Sequence, residues 1–193
     1  MVCENCFGLL SISIACFIIG LILLKKYFDE ENRFTLFMIL FFLFAGLGWF
    51  FWFITTEMVL NIYNDIKAIL MIVGILPQLI LLIFILTFYE VSLIIRVIII
   101  LVAVFLSILH IFFPLLKISM IVSSVIIISN GILFILNWKK NQDLKSLFFA
   151  IGLFLILIGE SLTFISKLIQ GIFLTITAII WFITYSGLLE KLS

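Results

Sequence analysis

The chain has 193 residues, 66% of them hydrophobic and 11% charged, with a net charge of +1 and a mean hydropathy of +1.50. Soluble domains are about 45–50% apolar, so a water-soluble core cannot absorb this much apolar surface and the bilayer must be the solvent. No basic block tracks nucleic acid, and cysteines at 3, 6 and 16 are too few and too clustered for a disulfide scaffold.

The start, "MVCENCFGLL", has neither a positive n-region nor a small-residue cleavage site. The first apolar run, 7–24, is therefore expected to stay as a signal-anchor helix. "KKYFDEENR" (25–33) ends it, and a second run covers 34–54. "TTEMVLNIYNDIK" (55–67) separates that from a third run, 68–88, and "YEVS" (89–92) from a fourth, 94–113. Arg96, near the start of the fourth, can snorkel to the headgroups. "PLLK" (114–117) precedes a fifth run, 118–137; "WKKNQDLK" (138–145) a sixth, 146–165; and "SKLIQ" (166–170) overlaps the start of a seventh, 170–188. A spanning helix needs roughly 20 apolar residues, fewer where the bilayer thins. The expectation is an all-α integral membrane protein, a seven-transmembrane-helix bundle forming one domain over 1–193.

Lys and Arg set the orientation. The first, third and fifth loops and the C-terminal tail carry Lys25, Lys26, Arg33, Arg96, Lys139, Lys140, Lys145 and Lys191, whereas the other side carries Lys67, Lys117 and Lys167. The bias predicts an outside N-terminus and a cytoplasmic C-terminus in a multi-pass cell-membrane protein. Tyr27, Tyr89, Trp138 and Tyr185 then fall at the inner interface.

Polar residues inside spans usually face the bundle interior. On the fifth span Ser119, Ser123, Asn130 and Asn137 fall within about 40° of one another at 100° per residue. Such a stripe serves interhelical hydrogen bonding or lines a ligand or water path. On the sixth, Gly152, Gly159, Thr163 and Ser166 make a small-residue face for close helix approach. Glu160 stands beside that face in the outer third, where it snorkels outward or pairs with Lys167, or else binds a ligand or proton. His110, the only histidine, ends the fourth span on the same side as Glu57, Asp65, Trp49 and Trp52. Any cavity is expected to open outward, beneath the 55–67 loop. Gln78, Asn130 and Trp181 lie near mid-depth, and Gly74 with Pro77 makes the third span a candidate hinge. The candidate ligand-binding set is thus Glu160, His110, Asn130, Gln78 and Trp181.

Enzymatic readings find little footing. Asp29, Asp65 and Asp143 are read as loop residues, unlike an intramembrane aspartyl pair. No Ser-His pair has a nucleophile-elbow setting, and neither a metal nor another cofactor is implied. Cys3 and Cys6 form a C-x-x-C at the outer N-terminus, but a quinone-linked thiol oxidoreductase needs a second pair and only Cys16 remains. The seventh span has no lysine for a retinal Schiff base.

Two resemblances come from these residues. Pro77-Gln78 resembles the hinge pair of PQ-loop transporters, but that family repeats the pair in each half. Here the second proline, Pro114, precedes Leu115, so the pair is not read as a PQ-loop. More broadly, Arg33, Trp49, Glu57, Gly74, Pro77, Tyr89 and Glu90, within residues 1–113, resemble the N-terminal seven-helix sensor region of prokaryotic histidine kinases and diguanylate cyclases. That resemblance implies an extracytoplasmic or membrane-borne cue relayed to a cytoplasmic or membrane partner. The family normally continues into a catalytic or PAS domain that this sequence does not contain, so a protein partner at the cytoplasmic loops is expected. A small-molecule or lipid ligand and a homo-oligomer are compatible with it. A small transporter or channel, or a structural subunit of a membrane complex, are the alternatives. A polar stripe facing the bundle interior favours the sensor or transporter; one facing lipid favours the subunit.

Labelling tests the orientation. With native cysteines removed, single cysteines at Asn61 and Asn141 should react with impermeant thiol reagents from outside and from the cytoplasm respectively. The reverse pattern, or both on one side, overturns it.

Overall fold

The computed structural model describes residues 4–55, 60–113, 118–163 and 165–188, and only the main chain at 30, 60–72, 110, 111 and 119. Among these residues there are seven helices and no strand: α1 Cys6–Glu30, α2 Arg33–Phe53, α3 Leu60–Phe88, α4 Leu93–Phe112, α5 Ile118–Asn141, α6 Leu144–Leu162 and α7 Lys167–Tyr185. Five of them, α1, α2 and α5–α7, are long and apolar enough to cross a membrane. Successive helices run in opposite directions, so the turns at 31–32, 89–92 and 142–143 share one end. Lys25, Lys26, Arg33, Arg96, Lys139, Lys140 and Lys145 cluster near it, and we call it the basic end. Tyr27, Tyr89, Trp138 and Tyr185 lie toward it as well.

Charged stretches read as breaks are in part helix. α1 continues through Lys25 and Lys26 to Glu30, α5 through Lys139 and Lys140 to Asn141, and α3 starts at Leu60. Asp29 and Asp65 are therefore helical rather than in loops. Charge ends the stretch that can lie in hydrocarbon, whereas a helix satisfies its own backbone and can continue into water. At 1.5 Å per residue the 29 residues of α3 span about 43 Å, well beyond a hydrocarbon core of about 30 Å.

The turns at the basic end share a design. Glu31, Glu90 and Gln142 adopt positive φ of 48°, 56° and 55°. The Glu31 and Gln142 amides close their helices onto the carbonyls of Tyr27 and Trp138. Asn32, Ser92 and Asp143 then cap the next helix, accepting from the amides of Phe34, Ile95 and Lys145. A left-handed residue followed by an N-cap satisfies orphan groups of both helices in a very short connection.

The packing is not a simple succession of hairpins. α1, α2, α3, α5, α6 and α7 close a ring in that order, and α4 packs outside it against α3 and α5. α4 has an apolar surface nearly all round: Ala103 and Ser107 face the bundle, while Leu93, Ile94, Leu101 and Phe105 are exposed. It seals a smaller core of Ile75, Leu79, Leu82, Ala103, Val122 and Ile126.

The ring is filled rather than hollow. Phe149 and Trp181 stack at 5.1 Å and 13°. Phe41 and Phe42 meet Trp181 edge-on at 6.0 and 5.5 Å. Phe134 closes on Phe149 from α5 at 4.5 Å. Lipid chains are as apolar as leucine, so these helices gain from close fit rather than from escaping water. Glycines allow it. Gly8 and Gly171 bring α1 against α7, and Gly152 makes room for the Trp181 indole.

A pair of alanine substitutions tests this close fit. A Cβ at Gly152 would overlap the Trp181 ring, whereas one at Gly48 meets nothing within 4 Å. Gly152→Ala should lower unfolding stability in mild detergent by about 1–3 kcal/mol. Gly48→Ala should leave it unchanged or raise it by up to about 1 kcal/mol. Equal effects would show that close approach does not organise the bundle.

Candidate functional site

Two polar systems converge on α5. The first lies at mid-depth, one residue after Pro77. Pro77 has no N–H and leaves the carbonyl of Val73 without its helical partner. Gly74, one turn earlier, is exposed, with nothing within 4 Å of its Cβ position, so close packing is not why a glycine stands there. Gln78 is buried, and Asn130, 0% exposed, reaches it across the α3–α5 contact. The Asn130 Nδ2 donates to the main-chain oxygen of Gln78 at 2.9 Å and, more weakly, to its Oε1 at 3.4 Å. The Asn130 Oδ1 is buried with no hydrogen-bond partner.

The second system is a chain of hydrogen bonds at the basic end. Asn141 Nδ2 donates to Asn137 Oδ1 at 2.7 Å. Asn137 Nδ2 donates to Ser146 Oγ at 2.8 Å, and Ser146 Oγ donates to Asp143 Oδ2 at 2.7 Å. The other carboxylate oxygen of Asp143 accepts the Lys145 amide at 3.1 Å. Every donation thus runs toward one carboxylate. Asn130 and Asn137, two members of the α5 polar stripe, both face neighbouring helices of the ring. The Ser119 side chain lies outside the described residues.

Beside this chain is a pocket of about 240 Å³. Phe34, Phe84, Ile85, Phe88, Tyr89, Leu133 and Phe134 form its apolar walls, and Asn32, Asn137, Asn141 and Asp143 are its polar lining. Its floor is the filled ring, since Phe134, Phe84 and Ile85 are buried core residues. The expected cavity lay at the other end, beneath the 55–67 loop; this pocket opens at the basic end. Asn137 was visible as part of a stripe, but Asp143, Ser146 and Asn141 were read only as parts of a break. A signal was present: asparagines at i and i+4 closing one helix, then an Asp N-cap with Ser three residues on.

The other candidates stand apart from both systems. Trp181 belongs to the aromatic centre, where its Nε1 donates to the Phe149 carbonyl at 3.2 Å, and it does not line the pocket. Glu160 is half-buried in the last turn of α6, near the opposite end, and no described residue forms an ion pair with it, Lys167 included. The side chains of His110 and Asp65, and Glu57 entirely, lie outside the described residues. At that same opposite end Asn5 Nδ2 donates to Gln170 Oε1 at 2.9 Å, tying α1 to α7. Cys6 is disulfide-bonded, Cys16 is a buried free thiol, and Cys3 lies outside the described residues. Arg96 donates to Thr87 Oγ1 across the α3–α4 turn rather than only reaching outward.

No protein family model, curated protein or solved structure matches this chain.

The amide pair makes an ordered prediction. Asn130→Ala removes both of its bonds and should destabilise the bundle by about 0.6–1.7 kcal/mol. Gln78→Ala should cost less, because the shorter bond is to the main chain and survives. Denaturation in detergent of both single variants and the double variant checks this. A larger effect for Gln78→Ala would show that the side-chain bond dominates.

Proposed function

We propose that the chain is a seven-span membrane sensor, with its N-terminus outside and its C-terminus cytoplasmic, that relays a cue along α3 to a protein partner at its cytoplasmic loops. The observation that carries this reading is the Gln78–Asn130 contact beside Pro77. It joins α3 to α5 with one buried acceptor unmet, at the point where α3 lacks a backbone bond. A half-satisfied buried polar pair has a second arrangement open to it and costs about 1–3 kcal/mol for the unmet group. It therefore suits an element that changes partners. Below it, α3 leads directly to Phe84, Phe88 and Tyr89 at the basic end, which the excess of Lys and Arg assigns to the cytoplasm. The resemblance of residues 1–113 to kinase and cyclase sensor regions points the same way.

A small transporter or channel is the second reading, favoured by the same interior polar groups. The filled aromatic centre weighs against it, because Phe41, Phe42, Phe149 and Trp181 are buried together there. The interior direction of Asn130 and Asn137 weighs against a structural subunit.

Photo-crosslinking from position 141 in native membranes, paired with solute flux in proteoliposomes, separates these readings. The sensor reading expects a discrete protein crosslink whose yield changes with Pro77→Ala, and no flux above empty vesicles. Saturable flux by the purified chain alone, or a crosslink indifferent to Pro77→Ala, overturns it.

A further inference from the structure

We infer that the pocket at the basic end is a binding site for an ammonium group carried on an apolar or aromatic stem. The inference stands on the lining alone and does not depend on the signalling reading.

The hydrogen bonds of the polar lining converge on one carboxylate. Asn141, Asn137 and Ser146 each donate to the next member of the chain that ends on Asp143. At the starts of α2 and α6 the Phe34 and Lys145 amides, which would otherwise attract an anion, are engaged by Asn32 and Asp143. Asp143 thus brings the formal negative charge to the lining, with lone pairs left on its carboxylate, while the asparagine amides keep both N–H donors and oxygen lone pairs. Among the described residues, Asp143 is the only ionisable group apart from the Tyr89 phenol in the lining, and no Lys or Arg lines the pocket. Arg33, Lys139 and Lys140, at the same end of the molecule, are exposed, so solvent screens them, and Lys145, half-buried two residues from Asp143, is not among the lining residues. The C-terminal ends of α3 and α5 also border the pocket and bring the negative ends of two helix dipoles to it.

The apolar wall selects the rest of the ligand. Phe34, Phe84, Phe88 and Tyr89 present ring surface to a cation and its stem, and aromatic faces attract ammonium groups. The volume is below the roughly 300–1,000 Å³ usual for drug-sized ligands, which suits one ring or a short chain. Such an ammonium is supplied either by an amine lipid headgroup at the inner interface or by a free amphiphilic amine.

The test uses the full chain in dodecyl maltoside, a headgroup without charge or amine. Saturable binding of radiolabelled 3-phenylpropylamine is measured against that of 3-phenylpropanoate, its acid counterpart. The amine should bind saturably and the acid should not. Asp143→Asn keeps the α6 cap through its one oxygen, gives up the bond accepted from Ser146 and removes the charge, and should weaken the amine at least tenfold. Phe88→Ala, at an exposed rim position, should weaken it several-fold while leaving the unfolding midpoint near wild type. Added phosphatidylethanolamine distinguishes the sources: competition with the amine points to the headgroup, and no competition to a free amine. Equal binding of acid and amine, no saturable binding, or an Asp143→Asn variant that is folded and binds like wild type overturns the inference. The comparison of acid with amine needs no variant, so it decides even if Asp143→Asn does not fold.

Discussion

In this bundle the close approach of α6 and α7 at Gly152 sets everything around it. Trp181 can lie over α6 only because Gly152 has no side chain, and its indole N–H then reaches the Phe149 carbonyl. With the indole fixed there, Phe149 stacks on it and Phe41 and Phe42 close from α2. Burying a tryptophan in an apolar setting requires a partner for its N–H, and a main-chain oxygen supplies one without a polar side chain. The ring of six helices is thereby plugged at its middle. Among the described residues, the aromatic cluster fills the middle of the ring and the pocket lies at its basic end.

The polar residues divide along the same line. Those in the filled region bond mainly within their own helices, as Thr184 does, and Thr177 adds a longer contact at 3.4 Å to the Gly152 carbonyl of α6. Bonds between helices occur round the ring, as from Ser13 to the Gly46 carbonyl and from Asn137 to Ser146, and the α3–α5 side adds Asn130 to Gln78. That side also carries Pro77, Gly74 and the pocket, while the α1–α7 side is held by Gly8 against Gly171 and by Asn5 against Gln170. One half of the ring is thus built for close, fixed contact and the other has an unmet acceptor and a void. A sensor needs both: a frame that does not move and an element that has two arrangements.

Much of the fold was legible in the sequence because hydrocarbon imposes a length. Each of the seven apolar runs became a helix, and the spacing put Asn130 in one polar stripe whose inward direction the α3–α5 contact then gave. What misled was charge. Lys25-Lys26 and Lys139-Lys140 end what the bilayer can hold, and α1 and α5 continue past them because helical backbone needs no lipid. The exclusion of α4 from the ring was not legible, since a helix apolar all round gives no sign of which face is bare. The basic-end site was missed for a related reason. Asn141, Asp143 and Ser146 look like an ordinary polar turn, and only the return of α6 onto α5 shows that their hydrogen bonds run in one direction. Glu160 drew attention as a lone carboxylate in an oily run, yet it lies far along α6 from the groups that form a network.

The central claim is that α3 moves against α5 at its basic end while the α1–α7 side stays fixed. Pulsed electron-resonance distances in nanodiscs test it directly, with spin labels at Phe88 and Leu136 for the moving pair and at Ile14 and Ile176 for the frame. The account expects two resolved distances for the first pair, with populations that shift in an Asn130→Ala background, and one unchanged distance for the second. A single distance for the α3–α5 pair in both backgrounds, or a split confined to the α1–α7 pair, would contradict it.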